Sequence, residues 1–236
     1  MITTVGFDAD DTLWHNETIF ASTHERLREL LARYHEGAVV ERALFATEMR
    51  NLERYGYGIK SFSLSAIETA LELSGGQLRG EEVQAIIRLT HEMLDHPVEV
   101  LPGVPEAVAA AAQAHRLLLI TKGDLRDQER KVEKSGLAAH FQAIEVVSEK
   151  DPPTYQRILR RHGVAPREFL MVGNSIKSDI LPVLELGGVA AHVPYPLTWA
   201  HEWVEQVPTG ARFHQLGAIT ELGPLLQRLH QARSSP

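Results

Sequence analysis

All 12 prolines lie beyond residue 96. The stretch ahead of them, roughly 17–95, repeats apolar residues at helical spacing. Proline interrupts helices by removing a donor and clashing with the preceding turn, so a long proline-free stretch with this spacing can be helical almost throughout. Phe20, Leu27, Leu30, Leu31 and Tyr34 fit one amphipathic face, and Val40, Leu44, Met49, Leu52 and Tyr55 a second. Leu64, Ile67 and Leu71 predict a third helix, and Val83, Ile86, Ile87, Met93 and Leu94 a fourth. Breaks are expected at 35–37, 56–58 and 75–76, each of which contains glycine.

The rest of the chain has another rhythm. Short aliphatic and β-branched runs at 2–7, 117–120, 144–147, 169–172 and 189–193 read as buried strands. Helical stretches are expected at 105–114, 125–135, 153–162 and 178–186, with proline opening the first and glycine following the other three. A further strand near 212–216 and a helix over 218–231 complete the tail. Strands alternating with helices imply right-handed crossovers and a parallel sheet covered on both faces. The first strand belongs to this α/β unit, yet the helical stretch follows it at once. The expected organisation is therefore an α/β core, Rossmann-like, at 1–15 and 98–236, with an all-helical cap inserted at 16–97.

Composition narrows the chemistry. The chain has no cysteine, which excludes disulfides, thiolate metal sites and thiol nucleophiles. With 24 Lys+Arg against 31 Asp+Glu, the net charge of −7 disfavours nucleic-acid polymers and anionic membranes as partners. No apolar run approaches the ~18 residues of a spanning helix, and the opening MITTVGFDADD is not a signal peptide, so the expected compartment is the cytoplasm. Neither a G-x-x-x-x-G-K-[ST] loop nor an H-E-x-x-H pair occurs, and Tyr55-Gly56-Tyr57-Gly58 lacks the third glycine of a dinucleotide fingerprint.

In an open parallel sheet, ligands bind beyond the carboxyl ends of the strands. The residues following each expected strand are Asp8-Ala9-Asp10-Asp11-Thr12, Thr121-Lys122-Gly123-Asp124, Ser148-Glu149-Lys150 and Gly173-Asn174-Ser175, with Asp179 a few residues on. Asp8 and Asp10, two apart on extended chain, can face one ligand, as nucleophile and general acid/base. Taken singly, each residue has an ordinary explanation: D-x-D as a turn, Thr121 as a helix cap, Lys150 as a surface charge, Asp179 as a favourable first-turn acid. It is their joint placement at one sheet edge that points to metal and phosphate chemistry.

These residues resemble the haloacid dehalogenase (HAD) superfamily, in particular its phosphatase-like members with a helical cap inserted after the first motif. Asp8, Asp10 and Thr12 match its D-x-D-x-T, Thr121 its second motif, and Lys150 its third. Gly173, Asn174 and Asp179 match the fourth, G-D-x-x-x-x-D, in part. The resemblance covers nearly the whole chain and keeps the motif order.

It implies that Asp8 attacks phosphorus to form an aspartyl-phosphate, while Asp10 protonates the leaving alkoxide and later deprotonates water. It also implies a Mg²⁺ held by the Asp8 carboxylate, the Asp10 carbonyl, Asn174 and Asp179, with Thr121 and Lys150 on the phosphoryl oxygens. A cation is needed on physical grounds too, since a carboxylate approaching a phosphate meets about 4 kcal/mol of repulsion per charge pair at ~4 Å. Asn174 stands where the family has Asp, and Asp11 where it has Gly. Thr121-Lys122 replaces Thr-Asn, so Lys122 is a second candidate for the phosphate.

The expected activity is hydrolysis of a small phosphomonoester, of the nucleotide or sugar phosphate class, by a monomer or homodimer. The alternatives are a 2-haloacid dehalogenase, a phosphomutase, or a catalytically weak phospho-ligand binder, the last kept open by Asn174. Candidate specificity contacts are His15, Asn16, Arg50, Tyr57 and Lys60, with the Trp199, His201 and Glu202 cluster behind them.

Overall fold

The run Thr-Val-Gly-Phe of β1 (Thr4–Phe7) is buried at every residue, as a strand flanked on both sides must be. The chain then leaves the sheet for four helices, α1 (Glu17–Leu31), α2 (Gly37–Tyr55), α3 (Ile59–Leu73) and α4 (Gly80–Asp95). It returns through α5 (Val104–Ala112), β2 (Arg116–Lys122), α6 (Leu125–Lys134), β3 (Ala143–Val147) and α7 (Pro152–Arg161). The remaining elements are β4 (Phe169–Gly173), α8 (Leu181–Glu185), β5 (Val189–His192), β6 (Phe213–Gln215) and α9 (Leu222–Gln231). The computed structural model describes residues 1–231.

The strands lie in the order β3-β2-β1-β4-β5-β6. β1 pairs in parallel with both β2 and β4, β4 with β5, and β5 with β6. Side chains alternate between two cores. Val5, Phe7, Leu117, Leu119, Leu170 and Val172 pack on one face with Val108 of α5, Val132 of α6 and Leu225 of α9. Leu118, Ile120, Phe169 and Met171 pack on the other with Tyr155, Ile158 and Leu159 of α7 and Val183 of α8. Among the described residues, no helix is long and apolar enough to cross a membrane.

The chain forms two compact units. One comprises Met1–Glu17, Val98–Thr121 and the described residues from Glu129 onward; the other comprises Thr18–Pro97 with Lys122–Gln128. The second unit has its own core, built from Leu27, Leu31, Val40, Leu44, Ile59, Phe62, Ala66, Ala70, Ile86 and Met93. Its four helices break where glycine was expected to break them, but α3 turns a different face inward. Leu64 and Leu71 are each 43% exposed, while Phe62, Ala66 and Ala70 are buried. Small residues let α3 come close to its neighbours, and part of the contact with α2 is polar: Asn51 Nδ2 donates to Ser65 Oγ at 3.1 Å and to Glu68 at 3.0 Å.

The helix expected at 178–186 is instead a π turn over Ile176–Ile180 followed by α8. The Leu181 N–H reaches back five residues to the Ile176 carbonyl, and Pro182, which has no N–H, opens the new helix.

Gly6 is fixed by contact. A Cβ there would lie 2.5 Å from Phe169 Cζ and 3.1 Å from Met171 Sδ, at the centre of the sheet. Gly6→Ala is therefore expected to destabilise the protein by about 1–3 kcal/mol through overpacking, read as a lower midpoint in a urea titration.

Candidate active site

In this strand order the sheet reverses direction of growth between β1 and β4, which opens a crevice at their carboxyl ends. Asp8 leaves β1 still on the ladder, its N–H donating to the Val172 carbonyl at 2.9 Å. Ala9 turns into the core, so Asp8 and Asp10 share the opposite side. The loop closes on itself: Leu13 N–H donates to Ala9 O at 2.8 Å and Asp11 N–H to Trp14 O at 2.8 Å.

Three of the expected residues meet in one buried ion-pair cluster. The Lys150 ammonium donates to Asp8 Oδ1 at 2.5 Å and to Asp179 Oδ1 at 2.7 Å. The other oxygens are occupied too: Asp8 Oδ2 accepts from Thr12 Oγ1 at 2.8 Å, and Asp179 Oδ2 accepts the Ser175 N–H at 3.0 Å. Asn174 joins through Thr12. Its N–H donates to Thr12 Oγ1 at 3.0 Å, and its Oδ1 lies 3.2 Å from the same hydroxyl. Gly173 is required here, because a Cβ would lie 2.2 Å from Asp179 Oδ2.

Two buried carboxylates thus share one ammonium. Burial pushes the Asp8 carboxyl up to about 7; Lys150 opposes that rise and the Asp179 charge adds to it. For Lys150, burial alone would lower the pKa, but Asp179 and Asp8 outweigh it and hold the ammonium above its ordinary range. The net negative charge left at such depth favours a cation. The nearby donors (two carboxylates, the Asn174 amide oxygen and backbone carbonyls) are hard oxygens of the kind Mg²⁺ takes. No group of three or more His, Cys, Asp or Glu is arranged to hold a metal among the described residues. The Asp8 and Asp179 carboxylates with the Asn174 amide oxygen would fit Mg²⁺ by donor chemistry, with only two of those donors being carboxylates.

Asp10 has a separate set of partners. Its Oδ1 accepts the Trp14 indole N–H at 2.8 Å and the Lys131 ammonium at 3.0 Å. Lys131 also donates to Asn16 Oδ1 at 2.8 Å. Asp11, at φ 63, adopts the left-handed conformation that glycine takes most readily and that Asp tolerates better than most residues. Its carboxylate then anchors the start of α1, accepting the N–H groups of Asn16 at 2.9 Å and Glu17 at 3.0 Å. Burial pushes Asp11 up to about 7, against those hydrogen bonds.

Thr121 is buried near the end of β2. Lys122, the next residue, is placed with the helical unit, its ammonium 4.0 Å from the centre of the Tyr57 ring. Of the specificity candidates, Arg50 pairs with Glu72, Lys60 with Asp124, and His15 Nδ1 with the Tyr195 hydroxyl at 2.6 Å. Glu202 reaches the fourth motif, where its Oε2 accepts from Ser175 Oγ at 2.5 Å and Ser178 Oγ at 2.6 Å.

Lys131 escaped the sequence reading. The available signal lay in α6 itself: a helix reading LRDQERKVEK has almost nothing apolar with which to cover a sheet, so some of its polar side chains must turn inward. Asp127, Gln128 and Lys131 are the ones buried.

The family model for haloacid dehalogenase-like hydrolases matches residues 2–187. A haloacid dehalogenase-like family hydrolase from Xanthomonas campestris is 39% identical, with a TM-score of 0.89, over 100% of this chain and 95% of that one. A 2-haloacid dehalogenase from Pseudomonas syringae pv. Tomato shares the fold at 23% identity, with a TM-score of 0.65 over 97% of this chain and 100% of that one. An N-acylneuraminate-9-phosphatase from Rattus norvegicus is 30% identical over 105 residues, which span 42% of this chain and 40% of the rat protein.

The buried Asp11 carboxyl gives a pH signature. Its folded value of about 7 lies above its ordinary 3.8, so between those values the folded state binds more protons than the unfolded one. Stability contributed by this group is lost as pH rises through that window. Asp11→Asn keeps the left-handed tolerance and an acceptor oxygen, and is expected to raise Tm by about 2–4 °C at pH 8. Little or no gain is expected at pH 4, as checked by calorimetry at the two pH values.

Proposed function

The chain belongs to the haloacid dehalogenase-like hydrolases, and we propose that within them it is a Mg²⁺-dependent phosphatase acting on a small phosphomonoester. The observation that carries this reading is Asp10. It stands on the same side of the strand end as Asp8 and is bound by Trp14 and Lys131, whereas dehalogenation calls for no second aspartate. The name of the rat relative supports a phosphatase, and the substrate in this reading is of the nucleotide or sugar phosphate class.

In this reading an Asp8 carboxylate oxygen attacks phosphorus in line. The new bond forms as the ester P–O bond breaks, and Asp10 gives its proton to the departing oxygen. Asp10, now a carboxylate, takes a proton from the water that attacks the aspartyl-phosphate; the bond to Asp8 breaks and inorganic phosphate leaves. Lys150, already on Asp8, and the Thr121 hydroxyl hold phosphoryl oxygens and stabilise their charge. Mg²⁺, held by Asp8, Asp179, the Asn174 side chain and the Asp10 carbonyl, would supply further positive charge against the phosphate. The helical unit serves as the cap that selects the substrate. Asn174, a neutral donor, favours a second reading in which metal is held weakly and the protein mainly binds its phospho-ligand.

Hydrolysis of 4-nitrophenyl phosphate separates these readings. The wild type is expected to turn over with Mg²⁺ and to stop on chelation, and Asp8→Asn to lose activity by at least on the order of 10³-fold. Equal ligand binding without turnover in both proteins would instead establish the binder. Asn174→Asp is expected to lower the Mg²⁺ concentration giving half-maximal rate. Because Asp8 must be ionised to attack, kcat/KM at limiting Mg²⁺ is expected to fall as pH drops through about 7. Saturating Mg²⁺ should move that limb to lower pH, since a nearby cation favours the carboxylate.

A further inference from the structure

We propose that Lys131 is a positioning residue for the acid–base step, holding the Asp10 carboxyl in place at the strand end through its Oδ1. The inference rests on the phosphatase reading above. A lysine on a surface helix ordinarily keeps its ammonium in water, yet Lys131 is only 8% exposed. Such burial carries a desolvation cost that specific partners must offset. Here they are Asp10 Oδ1 at 3.0 Å and Asn16 Oδ1 at 2.8 Å.

The arrangement constrains Asp10 from two rigid directions. Trp14, 1% exposed, fixes Oδ1 through its indole N–H at 2.8 Å, and Lys131 approaches the same oxygen from α6. Asn16, which steadies the ammonium, is itself held by the Asp11 carboxylate through its backbone N–H at 2.9 Å. Two N–H donors on Oδ1, one from the buried Trp14 and one from α6, fix the place of the Asp10 carboxyl. As the P–O bond breaks, the proton that Asp10 gives up passes to the departing oxygen and leaves a carboxylate beside the Lys131 ammonium. Proton transfer demands placement within hydrogen-bond reach, and a displacement of ~1 Å can cost about a hundredfold.

A merely structural ion pair and a positioning one differ in their dependence on the leaving group. 4-Nitrophenolate departs readily without a proton, whereas phenolate gains more from one. The value of kcat/KM reports only the steps through the first bond cleavage, so the later attack of water does not blur the comparison. In Lys131→Met, kcat/KM for phenyl phosphate is expected to fall about 10–100-fold, with a much smaller fall for 4-nitrophenyl phosphate. Lys131→Arg should recover part of the phenyl phosphate rate. Asn16→Ala, which leaves α6 untouched, should show the same selectivity at smaller size, and it decides alone if Lys131→Met does not fold. Equal losses on both substrates, or a change in KM alone, would overturn the proposal while the phosphatase reading stands. A wild type that hydrolyses neither ester with Mg²⁺ removes that reading and this inference together.

Discussion

The ammonium of Lys150, shared between Asp8 and Asp179, is the interaction on which the rest of the site depends. Each carboxylate belongs to a different strand end, and the lysine to a third segment just before α7. None of the three charges could be buried alone without a cost of several kcal/mol. Breaking any one leg leaves an uncompensated charge in the sheet's crevice. The parallel sheet therefore does more than carry these residues: by placing β1 beside β4 it brings two acids close enough to need the lysine. Two carboxylates on one ammonium leave the crevice an excess of acidic over basic groups.

The turn after β4 shows how closely the backbone serves that pair. Gly173 leaves room for the Asp179 carboxylate, and the Ser175 N–H binds one of its oxygens. The Ser175 hydroxyl accepts the Ser178 N–H at 3.0 Å, which starts the π turn. Glu202 then grips both serine hydroxyls. A charge absent at Asn174 is thus matched by one at Glu202, on the serines rather than on Asp8 or Lys150. Behind the turn, Tyr155 is fully buried with its hydroxyl on the Ser178 carbonyl at 3.1 Å, and burial together with these acids holds it un-ionised.

What the sequence disclosed was mainly what is local. The alternation of strands and helices, the glycine breaks of the helical unit and the residues at each strand end all follow from short-range periodicity, and the structure places them accordingly. What it withheld depends on neighbours distant in the chain. The inward face of α3 runs through Ala66 and Ala70 because another helix comes close, a fact that large apolar residues such as Leu64 cannot announce. Residues 122–128 associate with the helical unit through Lys122 on Tyr57 and Asp124 at the start of α3, although they are contiguous with β2. The burial of Lys131 and the reach of Glu202 are likewise tertiary facts about polar residues, which no hydrophobic pattern encodes.

The two aspartates of the first strand end illustrate how one short loop gives two like groups unlike surroundings. Ala9, fully buried, pins the backbone between them, so both face the crevice, yet each meets a different lysine. Asp8 is buried and held by Lys150 and the Thr12 hydroxyl. Asp10, more exposed, is held at Oδ1 by Trp14 and Lys131. Pairs of like groups in unlike surroundings are how one site obtains both a nucleophile and an acid. The turn at Asp11 makes this possible: by going left-handed it returns Thr12 to Asp8 and Trp14 to Asp10 within a few residues. Asp11 in place of glycine gives up conformational ease at that turn. In exchange, its carboxylate ties the loop that carries both aspartates to Asn16 and Glu17.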